Sequence, residues 1–220
     1  MTTDAAPPPA GLRLRKRERT RLAITGAAFR LFAERGFDAV TVTEIAAAAD
    51  VAPATIFTHF ATKEDIFFSR GLDFTTGLPE VIDSATDGDL PVRLGEFFRR
   101  TITEVVTSDW ASARAFARIL LGSPALRRSY LPLVRAWQDL ITNALLARSQ
   151  RDEDTAEIAL FSALVITTVS VAMDAMHIAL ATDAPARQVR KTIDAGLDRG
   201  FARLAGAYPD GLTAQRPPAP

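Results

Sequence analysis

The sequence predicts an all-α protein, a short three-helix unit at the N-terminal end followed by a longer helical one. Three observations carry this: apolar residues recur at intervals of three and four, no stretch alternates with period two, and proline and glycine punctuate the chain at helix-length intervals. At 220 residues, 48% apolar and 24% charged, the chain is a soluble globular one of one large or two small domains, which excludes disordered, collagenous and disulfide scaffolds. With no cysteine and only His59 and His177, it offers no thiolate nucleophile and no thiolate or histidine-rich metal centre, so neither metal nor cofactor is expected.

Twenty-six basic and 26 acidic side chains cancel, but their distribution is uneven. Arg13, Arg15, Lys16, Arg17, Arg19 and Arg21 face a single acid, Glu18, in an arm of net +5. Such an arm is the footprint of a phosphate binder, and a solvated leader would look the same. The first ten residues hold three prolines and lack the apolar middle of a secretory signal, so residues 1–15 are expected to be a disordered basic leader of a cytoplasmic protein.

From Thr20 to Arg35, Ile24, Ala27, Ala28, Leu31 and Phe32 mark one buried helix face, and Gly36 is its stop. Thr41, three residues before Glu44, has capping-box spacing and opens a short helix, Val42 to Ala48. A turn at Asp50 leads to Pro53, preset for the first position of a third helix that runs to about Phe60. Ile45, Val51, Ile56 and Phe60 are directed at the first helix, leaving Ala54, Thr55, Thr58 and His59 on a free face. The spacing fits a helix-turn-helix, and by itself fits an ordinary three-helix cluster equally.

Lys63 opens a further helical pattern, interrupted near Gly77 and Pro79. Pro91 leads a helix through Phe97, Phe98 and Ile102, Trp110 begins one ending at Gly122, and Ser123-Pro124 caps and starts a third through Trp137 and Leu145. Asp154 to Ala181 reads as a long apolar helix, and Pro185 starts the last, with Val189, Ile193, Leu197, Phe201 and Leu204 along one stripe. Ile158 to Met173 are sixteen residues without a charge, short of the roughly 20 a bilayer requires, and include Ser162, Thr167, Thr168 and Ser170. A buried helix, not a membrane span, is expected. An all-apolar helix needs cover on every side, which points to a second subunit. Residues 209–220 are expected to be a loose tail.

The residues of the first unit resemble a known family. The run Ala27-Ala28-Phe29-Arg30-Leu31-Phe32-Ala33-Glu34-Arg35-Gly36-Phe37, then Thr41-Val42, Glu44-Ile45-Ala46, and Val51-Ala52-Pro53-Ala54-Thr55-Ile56-Phe57-Thr58-His59-Phe60 through Lys63-Glu64, is similar to the tetracycline-repressor (TetR) family of bacterial regulators. The likeness spans Arg21 to Asp65, about a fifth of the chain. It implies an all-α fold in which residues 16–62 are a helix-turn-helix DNA-binding domain and residues 63–208 a helical ligand-binding and dimerisation domain. It also implies a transcriptional regulator, a repressor released from a palindromic double-stranded operator by a small, largely apolar effector. By position, Thr41, with Thr43 beside it, and Lys63 would hold phosphates. Ala54, Thr55 and Thr58 would meet base edges, with Pro53 beside them among the DNA-binding positions, and His59 would stand where the family has a phosphate-contacting tyrosine or histidine. Arg17 and Arg21 of the arm would add phosphate or minor-groove contacts. Three positions depart from the family pattern: Ala52 replaces a capping serine, Phe57 a tyrosine, and Asp50 a turn glycine, the last tolerable because aspartate visits the left-handed region.

For the second unit the resemblance implies a homodimer built from the last two helices. Phe161, Val165, Val169, Ile193, Gly196, Leu197 and Gly200 are the expected interface. Gly196 and Gly200 lie one turn apart, each costing about 1 kcal/mol of helix propensity, so close helix approach is one reason for them and simple tolerance the other. Phe98, Trp110, Phe116, Trp137 and Phe161 are candidate pocket walls or plain core. Asp174 and His177, three apart on one helix face, bond a ligand or each other, or face the dimer seam. No nucleophile elbow, phosphate-cradling loop or metal-binding histidine pair is present, so no enzyme is expected. The alternative is a dimeric ligand- or partner-binding protein whose helix-turn-helix no longer reads DNA.

Overall fold

The computed structural model describes residues 10–86, 88–149, 155–209 and 211–212, with side chains from Arg13 onward. Ten helices and no strand occur among the described residues. They divide into two compact units that meet between Gly71 and Leu72, not at the expected boundary between residues 62 and 63.

The first unit holds α1 (Ala10–Arg35), α2 (Val42–Ala48), α3 (Pro53–Phe57) and α4 (Lys63–Phe68). Helix α4 belongs here because Ile66 and Phe67 are buried in this unit's core, Phe67 stacking at 6.3 Å on Phe29 and standing edge-on to Phe37 at 6.0 Å. Thr62 caps α4 with Asp65 as reciprocal partner, a second capping box. Helix α1 starts ten residues earlier than Thr20, so the expected leader is helical from Ala10, and residues 1–9 lie outside the described part. The reason is local. Leucine, arginine, lysine and glutamate are strong helix formers, and Thr20, instead of capping, donates its hydroxyl to the Lys16 carbonyl one turn back (3.0 Å). Asp50 takes the left-handed conformation (φ 54°) that the turn demands.

The second unit holds α5 (Leu78–Ser84), α6 (Leu90–Ser108), α7 (Trp110–Gly122), α8 (Pro124–Arg148), α9 (Thr155–Ala181) and α10 (Ala186–Ala207). Helix α9 packs against α7, α8 and α10, and α10 in turn against α6. The apolar α9 is therefore a core helix with one exposed side: Ile158, Phe161, Val165, Val169, Met173, Met176 and Leu180 are buried, while Leu160, Leu164, Val171 and Ile178 are exposed. Asp109 and Ser123 accept backbone N–H bonds at the starts of α7 and α8 (3.0 and 3.2 Å). Arg118 donates to both carboxylate oxygens of Asp183, and Arg114 to the Ala184 carbonyl, tying α7 to the α9–α10 turn. Of the expected loose tail, Leu212 packs on the core. Residues 213–220 lie outside the described part.

Candidate nucleic-acid interface

Helix α3 is short, and its inner residue, Ile56, is 1% exposed. Phe60 beyond its C-terminal end is buried too, its N–H bonded to the Ile56 carbonyl. These two anchors hold the other side of α3 outward. Pro53, Ala54 and Thr58 are exposed, and Thr55 and His59 are half-buried. Pro53 stands at the first helical position as expected, and Ala52 makes no side-chain cap. Thr58 donates its hydroxyl to the Thr55 carbonyl (2.7 Å), so its methyl and lone pairs are what it presents outward.

Two residues expected to hold phosphates are committed within the fold. Lys63 Nζ donates to the carbonyls of Phe37 and Val40 (3.0 and 2.8 Å) and lies 4.2 Å from the centroid of the Phe37 ring. It fastens the loop between α1 and α2 to α4, leaving at most one ammonium proton for anything outside. Thr41 completes the capping box of α2: its N–H and hydroxyl both donate to Glu44 Oε2 (2.8 Å each), while its Oγ1 accepts from the Glu44 N–H (3.2 Å). Those two bonds, with the Arg35 guanidinium at 2.8 Å, hold the Glu44 carboxyl down at about 2. Thr43 is exposed on the first turn of α2. Arg21 lies over the Phe60 ring (5.6 Å) and 3.8 Å from Glu18, which braces it against the unit.

Arg17, Thr55, Thr58 and His59 are brought together, and Arg13, Lys16 and Thr20 join them in one solvent-open cleft of about 470 Å³. Of the last three, Arg13 fell in the expected disordered leader, and Lys16 and Thr20 were not assigned a contact because the arm was not read as one helix. The signal was nevertheless present: positions 13, 16, 17 and 20 follow the spacing of one helix face.

In the second unit, the expected pocket residues fall into separate places. Phe98 and Trp137 pack on Phe74 at 4.9 and 4.8 Å, and Phe161 stands edge-on to Tyr208 at 5.1 Å, all within the core. Trp110 is partly buried at the core's margin. Phe116 meets His177 at 5.9 Å. Asp174 and His177 do not hydrogen-bond each other. His177 is buried, and burial pushes its imidazole down to about 4, whereas Asp174 is exposed on α9, its carboxyl raised by partial desolvation. Asp174 lies close enough to raise the phenol of Tyr130, which desolvation already raises and whose hydroxyl donates to Met173 Sδ at 3.6 Å.

The expected dimer residues need correction. Phe161, Val165, Val169, Ile193 and Leu197 are each at most 1% exposed within the single chain. They lie in the core of one subunit and are closed to a second. Gly196 and Gly200 belong to the crossing of α9 and α10: a Cβ on Gly196 would stand 2.9 Å from the Ala172 Cβ, and one on Gly200 2.1 Å from Thr168 Cγ2. Close approach is thus their reason, but between helices of one chain.

A braced helix-turn-helix with a basic cleft beside its outer helix, in a chain with a second all-helical unit, defines a protein of the helix-turn-helix DNA-binding class. The sequence profile of the bacterial regulatory proteins of the tetR family matches residues 24–69, and that of the MftR C-terminal domain matches residues 93–209. The chain belongs to the TetR family and is a DNA-binding transcriptional regulator. It is 28% identical over 159 residues to the HTH-type transcriptional regulator TcmR of Streptomyces glaucescens, covering 70% of each chain. It is 24% identical over 196 residues to the HTH-type transcriptional repressor AcnR of Corynebacterium glutamicum, covering 88% of this chain and 87% of that one. NalD of Pseudomonas aeruginosa, the secondary repressor of the MexAB-OprM multidrug efflux pump, shares the fold with a TM-score of 0.57 at 20% identity, over 85% of this chain and 96% of that one.

Proposed function

We propose that the protein is a repressor that binds a palindromic operator as a homodimer in the cytoplasm and is released by a small, largely apolar effector. The observation that carries DNA reading is the outward side of α3: Ala54, Thr55, Thr58 and His59 stand on one short helix whose inner residue, Ile56, is locked in the core. Small hydroxyl and methyl groups in that setting suit base edges, an alanine or threonine methyl on a thymine methyl and a threonine hydroxyl on either donor or acceptor. Thr43 and Pro53 flank this face, and Arg17, Arg21, Thr41 and Lys63 are the remaining contacts the resemblance implies, Lys63 through its one uncommitted proton.

The exposed side of α9 supports the dimer. Leu160, Leu164, Thr167, Val171, Asp174 and Ile178 recur at intervals of four and three, the spacing of a helix seam, and Leu160, Leu164, Val171 and Ile178 are 40–62% exposed. Beside the seam, Thr167, Thr168, Val171, Gly196, Gly200, Arg199 and Arg203 border a depression of about 420 Å³ that continues this exposed side. We assign the effector to the second unit near Phe116 and His177, where a buried neutral imidazole beside an aromatic ring offers a polar handle. Its binding would favour a dimer with wrongly spaced reading helices, weakening DNA binding by coupling.

Selection of genomic fragments on the purified protein tests this, with Thr55→Ala/His59→Ala as control. A shared palindrome, half-sites about one DNA turn apart and lost in the control, is the expected result. A folded dimer that enriches no sequence would favour instead a ligand- or partner-binding protein, the reading that Ala52, Phe57 and a reader without arginine, asparagine or glutamine speak for.

A further inference from the structure

The basic arm is not a uniformly charged leader but a helix with two different sides. Arg13, Lys16, Arg17 and Thr20 follow the i, i+3, i+4, i+7 pattern and line the cleft opposite Thr55, Thr58 and His59. Arg15 and Arg19, four apart, fall on the reverse side with Leu22. Among the described residues no carboxylate pairs with Arg13, Lys16 or Arg17, so three uncompensated cations share one wall of a cleft whose other wall is the reading helix.

We propose that one sugar-phosphate strand of the operator runs through this cleft, held by Arg13, Lys16 and Arg17, and that Arg15 and Arg19 take no part in binding. The inference rests on the DNA-binding reading above. A helix seated in a major groove is flanked by phosphate strands, and the wall standing beside α3 is where one of them must pass. Long, flexible cations opposite small hydroxyls suit phosphate oxygens. The cleft face therefore sets affinity and salt dependence, while sequence preference stays with α3.

The test compares two variants of the full chain with equal charge change and similar helix propensity, K16Q/R17Q and R15Q/R19Q, on the selected palindromic duplex across a range of salt concentrations. Loss of four phosphate contacts from two arms makes the slope of log affinity against log salt shallower by about 3 to 4 in K16Q/R17Q, with the preferred sequence unchanged. R15Q/R19Q stays within about one contact's worth of the wild-type slope. Equal changes in both variants, or none in either, would overturn the face assignment while leaving the DNA-binding reading intact. A wild-type protein that selects no palindrome and shows no steep salt dependence would remove both.

Discussion

Gly200 of α10 lies so close against Thr168 of α9 that a Cβ on the glycine would stand 2.1 Å from Thr168 Cγ2. Thr168 Oγ1 at 3.0 Å and Cβ at 3.1 Å are close as well, so exchanging the two branches of the side chain does not take it out of contact. The two helices of the regulatory core approach at this point only because one of them lacks a side chain.

Gly200→Ala is accordingly expected to destabilise the second unit by about 1 to 3 kcal/mol, despite alanine's better helix propensity. Thr168→Ala removes the clashing methyl and leaves the former Cβ at 3.1 Å, so the double variant recovers much of the loss. Urea unfolding of the four proteins of that cycle measures it, and additive effects would refute the close-approach account.

Lys63→Met keeps the apolar stem over Phe37 and abolishes two charge-assisted hydrogen bonds to the Phe37 and Val40 carbonyls. The expected outcome is a loss of about 2 kcal/mol in stability of the first unit. Thermal unfolding reads the loss, and the salt slope of DNA binding tells a structural lysine, which leaves the slope unchanged, from a phosphate-holding one.

His177 supplies a pH dependence of defined sign. Its imidazole titrates near 6.5 when unfolded and at about 4 in the buried site, so between those values the unfolded chain binds the extra proton. Stability is complete above about pH 6.5, falls as the pH drops and levels off near pH 4, for a total of about 3 kcal/mol. His177→Phe is expected to flatten that part of the stability profile, and an unchanged profile would show that the imidazole is hydrated in the folded state.

The exposed and buried sides of α9 are expected to respond differently. Val171→Glu, at a position 62% exposed, should yield a folded monomer in sedimentation velocity. Val165→Ala, at a position with no exposure, should leave association intact and reduce folding stability by about 2 kcal/mol. A dimeric Val171→Glu would move the interface off this face.

How much of this was legible in the sequence depended on how local the cause was. The boundaries of α2 and α7, the capping box of Thr41 and Glu44, and the left-handed Asp50 were all readable, because a cap, a proline or a turn residue acts within a few positions of itself. Helix α5 and the true start of α1 were not read, the first because Gly77 and Pro79 look like interruptions, the second because charge was taken for disorder. Both signals were local but ambiguous.

The sequence by itself determined that the chain is helical, where the reading helix lies and which family it belongs to, since periodicity and a dense motif need no knowledge of neighbours. Only the tertiary structure decided which side of α9 faces its own core. Phe161, Val165 and Val169 are as apolar as Leu160, Leu164 and Val171, and on a helix that is apolar all round, hydrophobicity carries no direction. The placement of α7, α8 and α10 supplies that direction, just as the carbonyls of Phe37 and Val40 turn Lys63 from a free cation into a brace.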